Sequence, residues 1–108
     1  MTTIPIHAGT STYDASIGAG LLETIGEKAA MRLRGPRCAI VADVNTADLF
    51  AEKVMRSLSA SGFTAVMIKI PAGENSKSLE QAALVCDEME GAQLDRTSFV
   101  VALGGGVV

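Results

Sequence analysis

Three consecutive glycines, Gly104 to Gly106, are the residues of this chain whose type and spacing most directly suggest chemistry. They follow an apolar run, residues 98–103, that is typical of a buried parallel strand. Because glycine has no Cβ atom, the backbone N–H groups of such a loop can approach the oxygens of a pyrophosphate. We interpret the segment as a phosphate-binding loop, although it is neither a GxGxxG fingerprint nor a P-loop. The simpler alternative is a tight turn that requires positive φ angles.

Two further polar clusters follow predicted strands. Asp43 could accept hydrogen bonds from ribose hydroxyls, or it could cap the next helix. Asn45 is a favourable N-cap residue whose side chain could also face a ligand. In the loop over residues 71–77, Glu74 and Lys77 could bind hydroxyls and a phosphate, or they could form a solvated ion pair of little energetic weight.

The elements that must position these clusters alternate between strands and helices. The pattern predicts strands near residues 3–7, 12–17, 38–42 and 64–70, a last strand beginning near residue 98, and helices over 21–33, 46–60 and about 79–91. Ser78 and Gln81 fit a capping box at the start of the third helix, and Gly62 is a plausible residue just beyond the end of the second. The order indicates a Rossmann-like α/β fold with a parallel sheet and flanking helices. The clusters then lie along the edge formed by the carboxyl ends of the strands.

Composition excludes several classes of function. The chain has 108 residues, so we expect one domain, and its net charge of −3 argues against binding to nucleic acid. No run of residues is long and apolar enough for a membrane span. Cys38 and Cys86 are interpreted as buried, reduced thiols of a cytoplasmic protein. His7 is the one histidine and cannot form a metal site or a catalytic dyad by itself, so no catalytic machinery is evident.

Five stretches of the sequence together match the pattern of one enzyme family. From the N-terminus they are IGAGLL over residues 17–22, DVN over 43–45, PAGENSKSL over 71–79, LDR over 94–96 and VVALGGGVV over 100–108. In this order and spacing the chain closely resembles 3-dehydroquinate synthase over essentially its whole length. The triple glycine alone would also fit glycerol dehydrogenases and iron-dependent alcohol dehydrogenases, and a non-catalytic α/β binding module is a third alternative.

The resemblance implies a reaction of the shikimate pathway, which serves aromatic amino acid biosynthesis. This lyase family converts 3-deoxy-arabino-heptulosonate 7-phosphate to 3-dehydroquinate and phosphate. A tightly held NAD transiently oxidises the substrate, and a divalent metal, usually zinc but also cobalt, polarises the alcohol that is oxidised. The family is commonly dimeric and acts in the cytoplasm on a sugar phosphate.

The resemblance also implies the roles of individual residues. Asp43 and Asn45 would contact the adenosine side of NAD, the loop from Ala72 would hold the ribose, and the glycine loop would lie against the pyrophosphate. The expected cofactor-binding residues are Asp43, Asn45, Ala72, Gly73, Glu74, Asn75, Ser76, Lys77, Gly104, Gly105, Gly106, Val107 and Val108.

The family's metal ligands, a glutamate and two histidines, belong to a C-terminal helical domain. We therefore expect residues 1–108 to form an NAD-binding α/β domain without that metal- and substrate-binding domain. We also expect the chain alone to be inactive, with no catalytic or metal-binding residue of its own.

Overall fold

The structure, a computed structural model, describes residues 2–73 and 78–104, so Met1, Glu74 to Lys77 and Gly105 to Val108 lie outside the described residues. The elements are β1 (Thr2–Ala8), β2 (Ser11–Ile17), a 3-10 turn (Leu21–Thr24), α1 (Ile25–Arg32), β3 (Arg37–Asp43), α2 (Val44–Ala60), β4 (Thr64–Ile70), α3 (Leu79–Gly91) and β5 (Phe99–Leu103). This order confirms the predicted alternation of strands and helices.

Strands β3, β4 and β5 form a parallel sheet in the order β4-β3-β5, so β3 lies in the centre. Cys38 of β3 is opposite both Ala65 of β4 and Phe99 of β5. Because β4 and β5 lie on opposite sides of β3, right-handed crossovers place α2 and α3 on opposite faces of the sheet. The described part of the chain thus has the expected α/β architecture.

The main core lies between β3 and α2. Cys38 and Ile40 of β3 and Val54 and Leu58 of α2 are fully buried. At the edge of this cluster Phe63 packs against Phe99 of β5 with an edge-to-face geometry and 4.9 Å between ring centroids. This core fixes the position of α2 relative to the central strand β3.

Helix α1 approaches α2 very closely at Gly26. The Ser57 hydroxyl accepts a hydrogen bond from the N–H of Gly26 at 2.8 Å and donates one to the carbonyl oxygen of Glu23 at 2.9 Å. Since the N–H of Gly26 is bonded to α2, the helix predicted over residues 21–33 is divided into the 3-10 turn and α1. A Cβ atom built on Gly26 would lie 2.0 Å from the carbonyl oxygen of Ser57.

Strands β1 and β2 form a separate antiparallel hairpin about Gly9, whose φ is +60°. The register places Ile4, Tyr13 and Ile17 on the same face of this two-stranded ribbon, and all three side chains are exposed. The hairpin confirms the strand pair predicted from the sequence.

Helix α3 corrects one prediction about the cysteines. Cys38 is buried as expected, but Cys86 on α3 is exposed, and no residue of α3 is fully buried. The apolar spacing that includes Leu79 and Cys86 predicts a covered helix face, yet Leu79 is 90% exposed. Among the described residues α3 packs mainly on β4, which leaves this face uncovered.

Candidate functional site at the carboxyl edge of the sheet

The ends of β3 and β5 lie side by side at the carboxyl edge of the sheet. Ala42 pairs with Leu103 as the last pair of residues between these strands, and Asp43 and Gly104 follow directly. Since neighbouring parallel strands are about 4.8 Å apart, the backbone of Asp43 is close to the first glycine of the loop. The structure therefore brings the Asp43 cluster next to Gly104, the first residue of the glycine cluster.

Asp43 caps helix α2, which corrects the assignment of Asn45 as the N-cap residue. The Oδ1 atom of Asp43 accepts hydrogen bonds from the backbone N–H groups of Asn45 at 2.9 Å and Thr46 at 2.8 Å. Asp43 has the extended backbone of a cap residue, with φ −76° and ψ 169°, because it is also the last residue of β3. Asn45 lies in the first turn of α2 with an exposed side chain.

The hydrogen bonds at this cap favour the ionised form of the Asp43 carboxylate. The backbone N–H of Thr46 is the largest influence that lowers the pKa of Asp43, and the backbone N–H of Asn45 also lowers it. The negative charge is placed where the N-terminus of α2 carries positive partial charge. Because Asp43 already occupies these N–H groups, a bound phosphate is better placed at the glycine loop, while the carboxylate suits a hydroxyl donor such as ribose.

Thr46 is the residue of this edge that sequence reasoning missed. Its hydroxyl lies 3.0 Å from the carbonyl oxygen of Leu103 and 3.2 Å from Oδ1 of Asp43. Thr46 is the third residue of α2, a position where polar residues commonly complete a cap, so the D-x-x-T pattern could have indicated its local role. Its contact with Leu103 has no local signal in the sequence.

The third cluster follows β4 at the same edge. Ile70, the last residue of β4, pairs in register with Asp43, and the exposed residues Ala72 and Gly73 come soon after it. Gly73 has a φ of +93°, which a residue with a side chain adopts at a cost. The predicted site residues Glu74, Asn75, Ser76, Lys77, Gly105, Gly106, Val107 and Val108 lie outside the described residues.

The described part of the edge presents an ionised carboxylate beside the first glycine of the loop sequence and no group of metal ligands. One oxygen of this carboxylate, Oδ1 of Asp43, is bonded to the cap of α2, and a carboxylate at this edge can accept hydrogen bonds from ribose hydroxyls. Within residues 2–73 and 78–104, no three His, Cys, Asp or Glu side chains form a group that could hold a metal ion. The same part of the chain contains no helix able to cross a membrane.

Comparison with known proteins identifies relatives of the whole chain. A sequence profile described as "3-dehydroquinate synthase N-terminal" matches residues 67–108. The 3-dehydroquinate synthase of Rhizobium etli is 40% identical over 106 residues, which are 98% of this chain and 28% of the relative. That of Agrobacterium fabrum is 40% identical over 117 aligned positions, which include 100% of this chain and 31% of the relative.

Solved structures show the same fold. A crystal structure of 2-deoxy-scyllo-inosose synthase, complexed with carbaglucose-6-phosphate, NAD+ and Co2+, matches 98% of this chain and 29% of its own with a TM-score of 0.84 at 17% sequence identity.

These two relatives carry the same enzyme name, which favours this family over the polyol and alcohol dehydrogenases that share the triple glycine. The chain spans about 28% of the length of the first of these relatives. Over 98% of its length the sequence is similar to the N-terminal part of a 3-dehydroquinate synthase.

Proposed function

We propose that residues 1–108 form the NAD-binding α/β domain of a 3-dehydroquinate synthase. The complete enzyme is a lyase that converts 3-deoxy-arabino-heptulosonate 7-phosphate to 3-dehydroquinate and phosphate in the shikimate pathway. Sequence similarity to that family supports the reaction. The observation that carries the binding role is the adjacency of the capped, ionised Asp43 to the start of the glycine loop, joined through Thr46.

In this proposal a carboxylate and backbone N–H groups bind different parts of the dinucleotide. The Asp43 carboxylate accepts hydrogen bonds from ribose hydroxyls on the adenosine side, with Asn45 beside it. The N–H groups of Gly104 to Gly106 hold the pyrophosphate. When bound, NAD supplies the hydride transfer, and the chain orients it.

The remaining site assignments are part of the same proposal. Residues 72–77 and 104–108, which follow β4 and β5 in the sequence, complete the proposed contacts with the ribose and the pyrophosphate. The side chains of Glu74 and Lys77 in the first loop provide a hydrogen-bond acceptor for hydroxyls and a positive charge for a phosphate.

The metal site belongs, in our proposal, to residues other than these 108. The sequence contains a single histidine, whereas the family resemblance implies two histidine ligands and a glutamate for zinc or cobalt. The sugar-phosphate substrate is then bound mainly outside this chain as well. We therefore expect no phosphate or dehydroquinate release when these 108 residues alone are incubated with substrate, NAD and Zn2+, and product formation would contradict this.

The proposed setting of the enzyme follows the family. We propose a cytoplasmic homodimer that acts on a small molecule and has no nucleic acid or membrane partner. The net charge of −3 supports the exclusion of nucleic acid. Sedimentation of the complete enzyme at micromolar concentration checks the dimer, and a monomer would contradict it.

An NMR titration of the labelled chain with NAD tests the binding role. We expect shifts at Asp43, Asn45 and Gly104, and none with an unrelated anion. The substitution Asp43→Asn keeps a good cap residue but removes the charge, so we expect binding to weaken roughly tenfold.

Asp95 provides the matched control for this titration. It is also a carboxylate that accepts backbone hydrogen bonds and has a lowered pKa, but it precedes β5 at the opposite edge of the sheet. Asp95→Asn should leave the affinity for NAD unchanged. Equal effects of the two substitutions, or no shifts in a folded wild-type chain at millimolar NAD, would overturn the proposed role.

A further inference from the structure

Thr46 connects two elements that are far apart in the sequence at the carboxyl edge of the sheet. Its hydroxyl lies 3.0 Å from the carbonyl oxygen of Leu103, across 57 positions of sequence. Two other acceptors are more distant, Oδ1 of Asp43 at 3.2 Å and the carbonyl oxygen of Asp43 at 3.4 Å. A hydroxyl has one hydrogen to donate, and the shortest of the three distances favours the carbonyl of Leu103.

The accepting carbonyl is the last one of β5. Leu103 forms the final pair of the β3–β5 ladder, with Ala42, and the next residue is Gly104. The hydrogen bond from Thr46 therefore holds the backbone of β5 at the residue directly before the first glycine. Leu103 is itself buried, so an unpaired carbonyl there would lose a hydrogen-bond partner without full access to water.

Thr46 also contributes to the N-cap of α2. Its backbone N–H donates to Oδ1 of Asp43 at 2.8 Å, which holds the carboxylate in place. One residue thus contacts both the group assigned to the ribose and the strand end that leads into the pyrophosphate loop. The side-chain and backbone contacts are separable, because the backbone N–H is retained in any substitution other than proline.

We propose that Thr46 is a positioning residue that fixes the end of β5, at Leu103 and Gly104, relative to the Asp43 carboxylate, and that it thereby selects ligands containing both a nucleoside and a diphosphate. This inference rests on the proposed NAD-binding function. A ligand that reaches only the Asp43 side does not depend on the Thr46 hydroxyl, whereas a ligand that spans Asp43 and the loop does. Thr46 itself needs no contact with the ligand.

Two substitutions separate the hydroxyl from the shape of the side chain. Thr46→Val replaces the hydroxyl with a methyl group of similar size and keeps the backbone bond to Asp43, while Thr46→Ser keeps the hydroxyl. Affinities for adenosine, ADP and NAD are measured by NMR titration of each folded variant. We expect Thr46→Val to weaken ADP and NAD about tenfold and to change adenosine less than twofold, with Thr46→Ser within threefold of wild type throughout.

The ratio of the ADP and adenosine affinities distinguishes positioning from general stabilisation. A purely structural role lowers the unfolding midpoint of Thr46→Val but leaves this ratio unchanged in the folded protein, and that result would overturn the inference. The inference is also overturned if adenosine and ADP weaken equally. Wild-type chain that is folded but binds no NAD would instead refute the proposed function, and the inference with it.

A measurement on the wild-type chain keeps the test decisive if Thr46→Val does not fold. The ¹³C shift of the Leu103 carbonyl reports the hydrogen bond directly. This shift should change when NAD or ADP is added, because both carry a diphosphate for the glycine N–H groups, and it should not change with adenosine. An equal response to adenosine and ADP would overturn the positioning role.

Discussion

The close approach of α1 and α2 predicts that one kind of substitution, glycine to alanine, has opposite effects at two helical positions. At Gly26 a Cβ atom would lie 2.0 Å from the carbonyl oxygen of Ser57, where ordinary contact begins at 3.4 Å, so the helices must separate by more than an ångström. At Gly91, the last residue of α3, a Cβ atom would meet nothing within 4 Å. Gly91→Ala is therefore the matched control for Gly26→Ala.

The size of the effect follows from what the separation breaks. The two hydrogen bonds of the Ser57 hydroxyl, with Gly26 and Glu23, contribute roughly 1 kcal/mol each. Overpacking of a rigid contact adds about 2 kcal/mol, and the helix preference of alanine offsets up to about 1 kcal/mol. We expect Gly26→Ala to lower the free energy of unfolding by about 3 kcal/mol. Gly91→Ala should leave it unchanged or raise it by up to about 1 kcal/mol.

Urea unfolding followed by far-ultraviolet circular dichroism measures both variants, since the chain has no tryptophan and one tyrosine. A Gly26→Ala variant as stable as wild type would show that the helices can separate without loss. An equal loss at Gly91 would show that the effect comes from glycine itself and not from the contact.

Three other outcomes are expected. Leu58→Ala should lower the free energy of unfolding by roughly 2–5 kcal/mol, because Leu58 is fully buried, and a loss below 1 kcal/mol in a urea titration would contradict this core assignment. The pKa of Asp43 is lowered, chiefly by the N–H of Thr46, so the ionised carboxylate adds to the free energy of unfolding above the unfolded-state pKa of 3.8. This contribution is lost as the pH falls through the lower pKa of the folded state. Asp43→Asn should therefore weaken the dependence of stability on acidic pH, and an unchanged dependence would refute the cap. A thiol reagent should label Cys86 in the native protein but Cys38 only after unfolding, since burial raises the pKa of Cys38 and blocks access to it; equal labelling rates would contradict the packing of β3.

Most elements of the fold could be predicted from periodicity and end signals. The strand predicted over residues 64–70 is β4 with the same bounds, and α2 ends at Ala60, with Gly62 at a φ of +93° just beyond it. Ser78 caps α3 through the N–H of Gln81, as the capping pattern indicates. These features depend on residues close together in the chain, which is why the sequence alone contains them.

Features that depend on neighbouring elements could not be predicted in this way. Asp43 and Asn45 are both good cap residues, and the choice between them is made by β3, which continues in extended form up to Asp43. Burial of Cys86 followed from helical spacing, but burial needs a partner, and nothing among the described residues covers that face. The bond between Thr46 and Leu103 joins residues 57 apart, so no window of sequence shows it.

The central position of β3 has a consequence for the order in which a growing polypeptide assembles this edge. Strand β4 follows β3 after a single crossover and can pair with it while the later residues are still being added. Strand β5 must instead return to the opposite side of β3, and only then does the carbonyl of Leu103 reach the Thr46 hydroxyl. Among the three described strands of this sheet, β5 is therefore the last to join. The proposed contacts with NAD therefore require all three strands to be paired first.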